Sequence, residues 1–128
     1  MKITLEKEES EKLFHDALCN GHSLAYCGVK IDYSDKEYAK AKKSLQKKKN
    51  ESICLEDVWM EILRTGGKLT LVDEESGMEP ESITLKDVHT KVAKTELRHL
   101  MDAINEEGDA TTAEVILQTV FYGEVIFG

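Results

Sequence analysis

The chain has 128 residues, of which 41% are apolar and 33% are charged, and its net charge is −8. This length predicts a single domain spanning residues 1–128, large enough to be stable without a disulfide or a metal. The acidic balance and the presence of only two arginines, Arg64 and Arg98, argue against direct nucleic-acid binding.

The cysteine content and the N-terminal residues favour a reducing, cytoplasmic setting. Cys19, Cys27 and Cys54 make an odd number of thiols, and no apolar signal segment follows Met1. No apolar run approaches the roughly 20 residues that a membrane helix requires. The lysine-rich, arginine-poor composition is typical of a low-GC bacterium or one of its phages.

Residues 1–33 predict a strand, a helix and a second strand. Apolar residues alternate with polar ones at residues 2–5 and again at 24–33, a pattern typical of strands. Residues 6–19 between them have an apolar stripe at helical spacing. Asn20-Gly21 is expected to end that helix in a left-handed conformation.

A lysine-rich helix is predicted next, from a capping box at Ser34 and Glu37 to about Lys49. Between residues 36 and 49 there are seven lysines and one acid, so the rest of the chain is strongly acidic. Lysines at this density are typical of a solvated face, but contact with an anionic partner remains an alternative. The candidate partner-binding residues are Lys40, Lys43, Lys47 and Lys48.

A nine-residue sequence occurs twice. Residues 51–59 (ESICLEDVW) and 81–89 (ESITLKDVH) share six of nine positions and lie thirty residues apart. The shared pattern predicts one local structure used twice, an extended lead-in followed by a capped amphipathic helix. Cys54 and Thr84 occupy the cap position. Duplication and convergence on common helix-start residues both explain the similarity.

A strand at residues 68–72 and a polar turn at 73–80 follow the first copy. Residues 81–84 are expected to pair back onto that strand before the second helix begins. Beyond a kink near Thr95, the apolar residues continue at helical spacing on a rotated face. These residues are Leu97, Leu100, Met101 and Ile104.

The C-terminal part predicts one strongly apolar helix, with a capping box at Thr111 and Glu114 and an end at Gly123. Residues 125–127 are then a terminal strand or a buried tail. In total, the sequence predicts an α+β fold, a mostly helical domain of five or six helices on a small antiparallel sheet. The two repeat helices and the last helix are expected to cover one face of that sheet.

The sharpest chemical pattern is a set of histidines and cysteines near the N-terminus. His15 and Cys19 lie four residues apart on the first predicted helix and therefore on one side of it, as metal-binding pairs do. With His22 and Cys27 they would supply four nitrogen and sulfur ligands. The alternative is that the cysteines are small buried hydrophobes and the histidines are surface residues. No cofactor is predicted on other grounds.

A thiol nucleophile with a histidine base is a further possibility, for which Cys54 stands at the start of a predicted helix. Thr84 at the equivalent position of the second copy favours a capping role instead. The many carboxylates show no spacing that indicates a dry catalytic cleft. No catalytic residue is therefore assigned.

The leading hypothesis is a small, acidic, intracellular, non-enzymatic binding or adaptor protein that acts through protein–protein contact. One form of it is an acidic protein that covers a basic nucleic-acid-binding surface of its target. The first alternative is a small-molecule or nucleotide-binding module that uses the lysine-rich helix. The second is a metal-dependent protein that uses His15, Cys19, His22 and Cys27. The oligomeric state stays open.

Overall fold

A computed structural model describes residues 3–21, 29–48, 52–75, 77 and 79–126 of the chain. Within these ranges the predicted α+β fold, mostly helical with a small antiparallel sheet, is confirmed. The helices are α1 (Lys7–Asn20), α2 (Asp35–Lys48), α3 (Leu55–Arg64), α4 (Leu85–Lys91), α5 (Leu97–Ile104) and α6 (Ala110–Tyr122). The strands are β1 (Val29–Asp32), β2 (Leu69–Asp73) and β3 (Glu81–Ile83).

The sheet has the order β1-β2-β3, and both pairings are antiparallel. Ile31 of β1 is opposite Leu71, and Ile83 of β3 is opposite Leu69. Leu69, Leu71 and Asp73 are buried, so alternate residues of β2 face the core. The predicted return of residues 81–84 onto the preceding strand is confirmed at β3.

The core lies between α1, α3 and α6, with the sheet beside them. Phe14 of α1 and Phe121 of α6 are both buried, and their ring centres are 6.1 Å apart. α3 packs against α1 and α2, and α3, α4 and α6 all contact the sheet. Burial of aromatic and aliphatic side chains from separate elements supplies the main stabilising term.

The two copies of the repeated sequence begin their helices in the same way. α3 starts from Cys54 and α4 from Thr84, each in an extended conformation and each with a capping box. The Cys54 amide donates to Oδ2 of Asp57 at 3.3 Å, and the Thr84 amide donates to Oδ2 of Asp87 at 2.9 Å. The prediction of one helix start used twice is confirmed.

Two predictions about the N-terminal region are wrong. Residues 3–6 form no strand; Ile3 and Leu5 are half-buried against the core instead. Gly21 follows α1 with φ −89°, which is not left-handed. The Gly21 amide instead donates to the Ala17 carbonyl at 2.8 Å, so the last turn is completed by an ordinary helical hydrogen bond.

The start of α6 also differs from the prediction. Asp109, not Thr111, is the N-cap, and its side chain accepts a hydrogen bond from the Thr112 amide at 3.0 Å. Aspartate is among the strongest caps, and it comes earlier in the chain, so the helix begins there. The predicted end of this helix is confirmed, because Gly123 adopts φ +81°.

The described part of the C-terminal segment is neither a strand nor buried. Val125 and Ile126 are exposed, although the Ile126 amide donates to Oε1 of Gln118 at 2.8 Å. Residue 127 lies outside the described residues. Among the residues that the structure describes, no helix is long and apolar enough to cross a membrane.

Candidate functional site

The structure places two of the four predicted metal ligands together on α1. His15 and Cys19 are half-buried, and Sγ of Cys19 lies 4.0 Å from Nδ1 of His15. His22 and Cys27, the other two, lie outside the described residues. The helical spacing of His15 and Cys19 thus does bring their side chains to one side of α1.

The other nitrogen of the same imidazole contacts a residue that the sequence analysis did not assign to the site. Nε2 of His15 donates to Oδ1 of Asp57 at 2.8 Å, across 42 residues of sequence. Asp57 belongs to the first turn of α3, which packs against α1. His15 therefore lies between a thiol of its own helix and a carboxylate of α3.

Cys54 completes this cluster. The donor atoms of His15, Cys54 and Asp57 all lie within 4.8 Å of one another. Cys54 and Asp57 hold this position because they are the N-cap and third residues of α3 and form its capping box. We call His15, Cys19, Cys54 and Asp57 the His–Cys cluster.

The electrostatic surroundings oppose thiolate formation in this cluster. Burial, followed by the nearby Glu56 carboxylate, raises the pKa of Cys19 to about 11. Partial burial and the carboxylates of Asp57 and Glu56 also raise the pKa of Cys54, although the Asp57 amide acts in the opposite direction. A nucleophilic cysteine needs a lowered pKa, so the arrangement of thiol, imidazole and carboxylate does not favour covalent catalysis.

All four candidate lysines of the lysine-rich helix α2 are exposed: Lys40, Lys43, Lys47 and Lys48. Lys48 also pairs through Nζ with Oε2 of Glu61 at 2.9 Å, and the Glu61 side chain is only 2% exposed. Lys48 thus stabilises a buried carboxylate of α3.

Glu61 is a buried charge with several partners. Besides Lys48, the Ser44 hydroxyl donates to Oε2 of Glu61 at 2.7 Å, and Nη1 of Arg64 lies 3.8 Å from Oε1. Burial raises the pKa of Glu61, but the hydrogen bonds from Lys48 and Ser44 outweigh burial and leave the pKa below its ordinary value. These contacts join α2 to α3.

An exposed apolar surface on α5 is the second notable site. Leu97, Met101 and Ile104 are 43%, 41% and 37% exposed and follow one another at helical spacing. Leu100 of the same helix is fully buried. We call Leu97, Met101 and Ile104 the α5 ridge.

The sequence predicted these residues as one apolar face but did not indicate that most of it is exposed. The core contacts the neighbouring side of α5, where His99 is buried and its Nδ1 lies 3.2 Å from Oγ1 of Thr112 on α6. A hydrogen bond between histidine and threonine thus anchors the side that faces α6. No feature of the local sequence identifies that partner.

Acidic residues are frequent in the stretch of sequence that contains the α5 ridge. Between Glu96 and Asp109 there are five acids and a single arginine. A cavity of about 240 Å³ lies between α1, α6 and the loop that joins α5 to α6, and its lining includes none of the three ridge residues. Its lining includes Leu13, Ala17 and Ala103 and the carboxylates of Asp16, Glu106 and Asp109. Nζ of Lys12 pairs with Asp16 at 3.1 Å and with Glu106 at 3.5 Å.

No family model, curated protein or solved structure matches this chain. The functional argument therefore depends on the geometry of the His–Cys cluster and of the α5 ridge.

Proposed function

We propose that the chain is a non-enzymatic binding protein that docks on a protein partner through the α5 ridge. The observation that carries this proposal is the exposure of Leu97, Met101 and Ile104 along one side of a helix whose other side is fixed in the core. The partner surface has apolar side chains bordered by lysine or arginine.

The arrangement of the apolar residues supports docking more than their number does. Single exposed hydrophobic residues are ordinary on protein surfaces. Three large side chains at positions i, i+4 and i+7 of one helix form a continuous stripe, which is the pattern by which helices bind a complementary apolar surface. Their burial against a partner removes apolar area from water.

The negative charge of the sequence around α5 supports a basic partner. Acids exceed basic residues in the sequence between Glu96 and Asp109, and this excess of negative charge attracts and orients a positive surface. The cavity between α1, α6 and the loop from α5 to α6 is lined by apolar side chains and by carboxylates, two of which pair with Lys12. A lysine or arginine side chain has matching chemistry, because its methylene groups pack on apolar surface while its charged end reaches a carboxylate.

The test is affinity capture from an extract of the source cell, with wild type and two variants as immobilised baits. Met101→Asp places a charge in the centre of the ridge. Leu55→Asp is the matched control, since Leu55 is also 41% exposed but lies on α3. We expect the wild-type chain and the Leu55→Asp variant to capture a protein that the Met101→Asp variant does not capture. Higher salt should release this protein from the wild-type chain.

Equal capture by wild type and Met101→Asp would contradict this assignment of the docking surface. Sedimentation of the purified chain tests the alternative of self-association. A dimer that Met101→Asp converts into a monomer would mean that the ridge contacts a second copy, and it would equally contradict a basic partner.

A further inference from the structure

We propose that the His–Cys cluster binds one thiophilic divalent cation of the zinc class, with His15, Cys19, Cys54 and Asp57 as its four ligands. This site is independent of the α5 ridge. It replaces two of the ligands that the sequence suggested with two residues from the start of α3.

The donor set fits zinc in type and number. Zinc in proteins takes cysteine sulfur, histidine nitrogen and carboxylate oxygen, and structural sites have four ligands in tetrahedral geometry. Thiolate and imidazole together select zinc and similar transition metals, whereas magnesium and calcium require oxygen ligands. The cluster offers two sulfurs, one imidazole and one carboxylate.

The distances among His15, Cys54 and Asp57 also fit. Zinc bonds of about 2.0–2.3 Å place neighbouring ligands of a tetrahedral site about 3–4 Å apart. The donor atoms of His15, Cys54 and Asp57 lie within 4.8 Å of one another, and Cys19 Sγ lies 4.0 Å from the imidazole. Cys19 Sγ faces Nδ1 of His15 and Asp57 Oδ1 faces Nε2, and an imidazole ligates one ion through one nitrogen, so a rotation of the His15 ring or of the Cys19 side chain brings Cys19 in as the fourth ligand.

The backbone holds the ligands on two helices that pack together. His15 and Cys19 project from successive turns of α1, and Cys54 and Asp57 flank the first turn of α3. Ligands on rigid elements lose little conformational entropy when a metal binds. The contact between α1 and α3 therefore preorganises the site.

Charge distinguishes a metal site from a catalytic thiol. The carboxylates of Asp16, Glu56 and Asp57 all lie near Cys19. These negative charges disfavour a free thiolate and would suppress a cysteine nucleophile. The same charges attract a divalent cation, and a bound cation deprotonates its coordinating thiols.

Cobalt titration of the reduced, chelator-treated full chain tests the proposal, because cobalt reports thiolate ligation by its ultraviolet charge-transfer absorption. We expect one equivalent of cobalt to bind with this absorption and zinc to displace it. Wild-type protein with no such band at one equivalent would overturn the proposal.

Cys54→Thr is the most informative variant. It installs the residue that the second copy uses at the same cap position, so α3 keeps a side-chain cap. We expect weaker charge transfer and an affinity lower by about tenfold or more, since even outer partners of metal ligands contribute 10–100-fold. Cys19→Ser should act in the same direction.

Two controls separate this site from other thiols. Thr84→Cys adds a thiol to the second copy, away from the cluster, and should leave stoichiometry and affinity unchanged. Cys27→Ser tests the ligand set suggested by the sequence. The ligand assignment would be overturned if Cys54→Thr bound cobalt with wild-type affinity. It would also be overturned if Cys27→Ser lost as much of the charge-transfer absorption as Cys54→Thr.

Discussion

The two copies of the repeated sequence share a helix start and differ in what surrounds it. Cys54 and Thr84 are both N-caps with a capping box to an aspartate three residues later. Among the described residues, an imidazole contacts the capping aspartate of the first copy and not that of the second, because His15 of α1 donates to Asp57 at 2.8 Å. Similar local sequence thus determines similar local structure, while the tertiary neighbours determine the available chemistry.

α1 also contacts the second copy, but with different groups. Nε2 of His89 donates to Oε2 of Glu11 at 2.9 Å, and Nε of Arg64 donates to the other oxygen at 2.8 Å. Glu11 thereby connects the end of α3 to α4. The position of His89 is Trp59 in the first copy, whose ring centre lies 6.4 Å from that of Tyr33.

Truncation of a core residue of α3, the helix that begins in the first copy, should have the largest effect on stability. Ile62 is fully buried on α3, so Ile62→Ala should lower the free energy of unfolding by about 2–5 kcal/mol through lost burial and a cavity. Leu55→Ala on the same helix removes an exposed side chain and should cost far less. Chemical denaturation measures both. If both substitutions lowered the free energy of unfolding equally, the side of α3 that faces the core would be misassigned.

The next largest difference is expected between Glu61 of α3 and Lys91 of α4, which lie just beyond the repeated residues. Lys91, thirty residues after Glu61, is half-buried and pairs with Asp87 at 3.5 Å. Glu61→Gln should cost about 1.5–3 kcal/mol at pH 7, because hydrogen bonds to a charged group are lost. Lys91→Gln should cost no more than about 0.5 kcal/mol. A smaller loss for Glu61→Gln than for Lys91→Gln would contradict the buried pair.

The pH dependence of the Glu61 effect has a definite sign. The folded protein lowers the pKa of Glu61 from 4.5, so the carboxylate stabilises the fold above that pH. This stabilisation disappears as the pH falls through the lowered value. The difference in unfolding free energy between wild type and Glu61→Gln should therefore shrink below pH 4.5. A difference that grows on acidification would contradict this sign.

Substitutions of the two N-cap residues should change the free energy of unfolding least. Thr84→Ala removes a cap side chain and should cost about 1 kcal/mol. Cys54→Thr replaces one cap with a better one, so without metal its unfolding free energy should equal or slightly exceed that of wild type. Urea denaturation in the presence of a chelator measures both. A loss in Cys54→Thr as large as in Thr84→Ala would mean that the two caps are not equivalent.

Much of the fold could be predicted because its signals are local. The alternation of Leu69 and Leu71, the repeated helix start and the glycine that ends α6 each depend on a few neighbouring residues. The wrong predictions concern competition between nearby signals. Asp109 caps α6 in place of Thr111 because both are capable caps, and Asp109 comes first.

The sites could be predicted only in part, because they depend on contacts distant in sequence. Helical spacing was enough to associate His15 with Cys19. No spacing rule indicates that Asp57, 42 residues away, would bind the same imidazole. Periodicity likewise identified the apolar side chains of α5, but the buried contact between His99 and Thr112 determines which side faces the core.

The most direct test exchanges the cap residues of the two copies in one protein, Cys54→Thr with Thr84→Cys. The exchange keeps the number of thiols and both caps, and it moves one thiol away from His15. We predict an unchanged unfolding free energy in chelator and a cobalt affinity at least about tenfold below that of wild type. Wild-type cobalt binding by the exchanged protein would contradict the conclusion that the neighbours of Cys54 give it a chemistry that Thr84 lacks.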